Sequence, residues 1–79
     1  MKKINEQRTI TLVIFDVLGQ RLKRLTTHKS RRIFHFLKAN KFRNCSFHIC
    51  VNYKDGSVNE GDYFTLKDAL FSLKIFLED

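Results

Sequence analysis

A chain of 79 residues that is 43% hydrophobic and 29% charged has the composition of one small globular domain, which excludes a disordered polymer and a membrane-embedded bundle. Its longest apolar run, Leu12 to Phe15, is far too short to cross a bilayer, and residues 1–8 carry no apolar stretch of the signal-peptide kind, so a cytosolic location is expected. The net charge of +7 is unevenly spread: residues 1–43 hold twelve Lys/Arg against two acids, and residues 44–79 hold three against six.

Residues 1–8 are polar and read as a flexible N-terminus, leaving residues 9–79 as one domain. Thr9 to Val17 is rich in β-branched residues and predicts a strand. Ile10, Leu12 and Ile14 take one face, and Val13, Phe15 and Val17 take the other, so its far end is expected to be covered on both sides. Leu18-Gly19 makes the turn. Gln20 to Thr26 returns as a second strand, whose leucines, Leu22 and Leu25, fall on opposite parities and whose cations suit a solvated edge.

A helix is predicted from about His28 to Ala39. Ile33, Phe36 and Leu37 lie on its apolar side, and Arg31, His35 and Lys38 form a cationic stripe on the other. Cys45 to Tyr53 alternates cleanly and reads as a third strand. Its two cysteines, Cys45 and Cys50, would sit roughly 16 Å apart at strand spacing, beyond disulfide reach. Free thiols fit a reducing compartment.

Lys54-Asp55-Gly56 predicts a type I′ hairpin turn into a fourth strand, Ser57 to Phe64, with a bulge or early end at Gly61. Thr65 caps the last helix, with Asp68 three residues on. Leu66, Ala69, Leu70, Leu73, Phe76 and Leu77 make its apolar face, which leaves Phe71 and Ile75 roughly opposite.

The predicted fold is α+β: ββαββα, a four-stranded antiparallel sheet with both helices packed on one face. A 37-residue shift places Gly19 on Gly56, Leu12 on Ile49 and Ile33 on Leu70, which suggests an internal ββα duplication. The first unit, 9–40, is basic, and the second, 45–79, is acidic.

That asymmetry is the main functional signal. From Gln20 to Arg43 there is no carboxylate, and the stretch carries Arg21, Lys23, Arg24, Lys29, Arg31, Arg32, His35, Lys38, Lys41 and Arg43. Such a one-sided cationic surface gains affinity for phosphates by releasing their counterions, so a nucleic acid, DNA or RNA, is the expected partner. An acidic protein is the alternative, with the chain acting as an interaction module or small regulator. Phe71 and Ile75 are candidates for an interface, for which a homodimer is the first expectation; cover by an N-terminal segment or Ile4 is the alternative.

The chain carries no Gly-rich phosphate loop and no paired Cys/His spacing, so no catalytic site, metal or cofactor is expected. His48 and Cys50 share a strand face, but no acid lies near them in sequence to orient the imidazole. The segment Gly61 to Leu70, Gly-Asp-Tyr-Phe-Thr-Leu-Lys-Asp-Ala-Leu, resembles the strand-to-helix passage of HicB-type antitoxins. A capped helix after a strand accounts for the same residues, the first unit lacks the pattern, and no residue role is carried over.

Overall fold

The computed structural model describes residues 8–40 and 43–77. The elements are β1 (Arg8–Phe15), β2 (Arg21–Thr27), α1 (Ser30–Asn40), β3 (Ser46–Tyr53), β4 (Val58–Tyr63) and α2 (Leu66–Phe76). The strands form one antiparallel sheet in the order β2-β1-β3-β4, and both helices pack on the same face. None of the described helices is long and apolar enough to cross a membrane.

Alternation along the two central strands decides which face is covered. Ile10, Leu12 and Ile14 of β1 and Phe47, Ile49 and Val51 of β3 are buried, and Ile33, Leu37, Ala69, Leu73 and Leu77 close over them from the helices. Removing such side chains from water contributes about 1.5–3 kcal/mol each. Arg8 opens β1 opposite Tyr53 and is 4% exposed, so the strand begins one residue earlier than expected; residues 1–7 lie outside the described residues. At the other end β1 stops at Phe15. Val17 is 76% exposed in the turn, and Val13 and Phe15 are half-buried, so the described residues do not supply the expected second cover over this end.

The two hairpins close in the same way. In the first, Asp16 N–H donates to Gln20 O (2.9 Å) and Gly19 N–H to Asp16 O (3.0 Å); in the second, Tyr53 N–H donates to Ser57 O (2.9 Å) and Gly56 N–H to Tyr53 O (3.0 Å). Each is a three-residue loop ending in a left-handed glycine, Gly19 at φ 83° and Gly56 at φ 96°. The expected type I′ turn is therefore not formed: it needs φ > 0 at two successive positions, and Asp55 does not adopt it. Asp55 Oδ1 instead accepts from the Ser57 N–H (2.9 Å) and hydroxyl (2.6 Å), which hold its carboxyl below the usual range. Asp16 Oδ1 does a similar job, accepting from the Leu18 and Gln20 amides at 2.9 Å.

β4 runs past Gly61 without a bulge or break: the register with β3 is continuous from Asn52↔Val58 to Phe47↔Tyr63. The Tyr63 ring lies over Gly61, where a Cβ would come within 2.9 Å of Cζ and the ring would have to shift. The irregularity lies in β2. Phe15 pairs with Arg21 but Ile14 pairs with Lys23, so Leu22 is an extra residue. That bulge explains the opposite parities of Leu22 and Leu25: Leu25 faces the core opposite Leu12, and Leu22 is 48% exposed.

The bulge also corrects the repeat. A 37-residue shift relates the strands before it, and Leu12 pairs directly with its own equivalent, Ile49, so the sheet has a pseudo-two-fold through that pair. After Leu22 the offset becomes 36. Ile33 and Leu37 then match Ala69 and Leu73, all buried, and Phe34 matches Leu70, both half-buried. The expected match of Ile33 to Leu70 fails by this one residue.

Candidate functional site

The topology gathers the cations of the first unit along one side of the molecule. β2 is an edge strand, and α1 packs on β1 and β2, whereas α2 packs on β3 and β4. Arg21, Lys23, Arg24, Lys29, Arg31, Arg32, His35, Lys38 and Arg43 are all exposed; Lys41 lies outside the described residues. The ion pairs seen among the described residues all involve His48, so these nine side chains are not ion-paired there.

They divide between two faces. Lys23 pairs with Ile14 and turns to the helix side, at the open edge beside α1. Arg21 and Arg24 pair with Phe15 and Val13 and turn to the uncovered face of the sheet. The cationic residues of β2 are thus not one ribbon but a bridge between the α1 surface and the open face.

α1 starts with charge of the sign that costs stability, although Lys38 in its last turn is favourably placed. Its first turn contains Arg31 and Arg32 and no acid. Cations at the positive end of the helix dipole are unfavourable by about 0.3–1 kcal/mol each. The equivalent start of α2 follows the stabilising rule: Thr65 Oγ1 accepts from the Asp68 N–H at 3.1 Å, and Asp68 itself stands in the first turn. At the 36-residue offset, Arg32 occupies the position of Asp68.

The open face runs from positive to negative. One row across it is Arg24, Val13, His48 and Asp62; the next is Thr26, Thr11, Cys50 and Glu60. His48 Nδ1 lies 2.7 Å from Asp62 Oδ1, and its Nε2 lies 3.8 Å from Glu60 Oε1. No acid lies near His48 and Cys50 in sequence; the cross-strand register, set by the Gly56 loop, brings Asp62 and Glu60 to them. Burial, and then the charge of Glu60, push the Cys50 thiol above its ordinary value. A thiol held protonated is a poor nucleophile. Among the described residues no group of three or more His, Cys, Asp or Glu is placed to hold a metal ion. Cys45 and Cys50 are free thiols.

A hollow of about 400 Å³ lies at the end of the sheet where the β1–β2 loop, the chain entering β3 and the chain leaving β4 meet. Phe64, 76% exposed, forms one wall. Sequence reading missed it because its parts are distant in the chain; the parity of Phe64, one residue past the inward-facing Tyr63, was the available signal. Phe71 and Ile75 stand on the outer side of α2, 64% and 53% exposed.

The fold and its surface thus define a small pseudo-symmetric ββαββα protein with one cationic side. Comparison with protein-family models, with curated proteins and with solved structures returned no match.

Proposed function

We propose that the chain is a cytosolic, non-enzymatic nucleic-acid-binding protein that contacts phosphates through Arg21, Lys23, Arg24, Lys29, Arg31, Arg32, Lys38 and Arg43, with His35 among them. The observation that carries this reading is the contrast between the two helix starts. On equivalent scaffolds, α2 begins with Asp68 in a capped first turn, and α1 begins with Arg31 and Arg32. A local cost in one copy of a repeat, surrounded by further cations that have no ion-pair partner among the described residues, fits a surface whose partner supplies the anions.

Fluorescence anisotropy with labelled random oligonucleotides, over a salt series, tests it. Binding should be tight at low salt and fall linearly on logarithmic axes. The Arg31→Ala/Arg32→Ala double variant should reduce the slope by about two for duplex DNA, uniformly across sequences. No binding of any oligonucleotide at low salt would sink the reading.

Phe71 and Ile75 favour a second reading, a protein-interaction module that meets an acidic protein or a second copy of the chain. Recovery of one stoichiometric protein from a nuclease-treated pull-down, lost in a Phe71→Ser/Ile75→Ser variant, would support it over the first.

A further inference from the structure

Phosphate contacts alone do not account for the hollow at the sheet end. Its wall is apolar at Phe64 and Val17, each 76% exposed, and Leu18 beside them is 80% exposed. Asp16, Asn44 and Ser46 line it with carboxylate, amide and hydroxyl groups. Local geometry fixes the Asp16 carboxylate and sets the backbone at the other two. Asp16 is fixed by the two loop amides it accepts from, and Asn44 sits in the left-handed region at φ 53°. Ser46 is the first residue of β3, directly opposite Phe15.

Two cations are neighbours of the hollow's lining residues in the chain or across the ladder. Arg43 immediately precedes Asn44, and Arg21 pairs with Phe15, one residue from Asp16. An exposed aromatic with polar groups beside it and cations next to the lining residues matches the chemistry of a nucleobase on its sugar-phosphate chain. The ring offers a stacking surface, the polar groups meet the base edge, and the guanidinium groups meet the phosphates. A volume of about 400 Å³ lies at the lower end of the range for small-ligand sites, so it suits one or two nucleotide units rather than a helix.

We propose that this hollow takes an unstacked base of single-stranded nucleic acid, stacked on Phe64. The proposal rests on the phosphate-binding reading above and adds its substrate class: single strands over duplexes. In a duplex the bases are already stacked on one another, so the Phe64 contact is forfeited unless a base is extruded.

The chain contains no tryptophan, so a Phe64→Trp variant carries a single tryptophan, placed in the hollow and excitable apart from the two tyrosines. Titration with a twelve-residue oligothymidine should quench its fluorescence, and a blunt duplex of the same length should not. In the Phe64→Ala variant, single-strand affinity should fall about tenfold or more, with the salt slope unchanged. If the single strand binds by anisotropy while the tryptophan stays unquenched, the base does not stack there and the phosphate reading survives. Equal quenching by the duplex, or an unchanged Phe64→Ala affinity, overturns the inference in the same way. No binding of either oligonucleotide at low salt removes both readings together.

Discussion

Deleting Leu22 should be tolerated, although it removes a residue from within a strand. The bulge makes Leu22 supernumerary: Arg21 and Arg24 face the open side, and Lys23 and Leu25 face the helices, whether or not it is present. Deletion would give the first hairpin the unbroken register of the second, where Asn52↔Val58 is followed by Val51↔Asn59. Leu22 is 48% exposed, so its lost burial amounts to about 1 kcal/mol, half the value for a fully covered leucine. A restored ladder hydrogen bond returns about 0.5–1.5 kcal/mol. The net change should lie within about 1 kcal/mol of zero. Deleting Asn59 is the contrast. It would turn Tyr63 to the open face and swing Glu60 and Asp62 to the helix side. Loss of the Tyr63 packing alone is worth about 3 kcal/mol, against a total stability of about 4–12 kcal/mol for a chain of this length. Urea unfolding followed by far-ultraviolet circular dichroism separates the two. A loss of more than about 3 kcal/mol on deleting Leu22, or equal losses for both deletions, would refute the register argument.

Two further outcomes follow from single contacts. The Tyr53 hydroxyl donates to the Phe76 carbonyl at 2.7 Å and accepts from Asn59 Nδ2 at 3.0 Å, which ties the end of α2 to both strands of the second hairpin. Tyr53→Phe should therefore cost about 1 kcal/mol in urea unfolding, and Asn59→Ala should cost much less in that background than in the parent. The raised Cys50 pKa keeps its thiol neutral until the pH climbs past the ordinary thiol range. In a Cys45→Ser background, alkylation by iodoacetamide should be slow at pH 7–8 and accelerate only above it, and Glu60→Gln should raise the rate at fixed pH by removing a like charge.

Element order and sheet layering were legible because the helical and strand periods differ, and because two glycines, Gly19 and Gly56, and one capped helix mark breaks. Arg31, His35 and Lys38 could be placed outside the core for the same reason: helical spacing is local. What stayed hidden depended on pairing between strands. Leu22 and Leu25 recorded the bulge as a parity conflict, but only the register with β1 shows which residue is the extra one. Gly61 looked like a break because glycine usually is one, and the strand instead runs through it beneath the ring of Tyr63 two residues away. The approach of Asp62 to His48 and of Glu60 to Cys50, and the meeting of Asp16, Ser46 and Phe64, needed contacts across the sheet that no local window contains.

The pseudo-two-fold through Leu12 and Ile49 has a kinetic consequence. Hairpin partners are at most 17 residues apart, as in Ile10↔Thr27, and such pairs close in microseconds. Partners across the central pair are 31 residues apart at Phe15↔Ser46 and 45 at Arg8↔Tyr53. The slow event is then the docking of two half-proteins, an association made first-order by the connection between α1 and β3. That connection acts as a concentration device. Lengthening it with Gly-Ser inserts should lower the refolding rate by only the closure entropy, about 0.6 kcal/mol for each doubling of the loop, and leave the unfolding rate where it was.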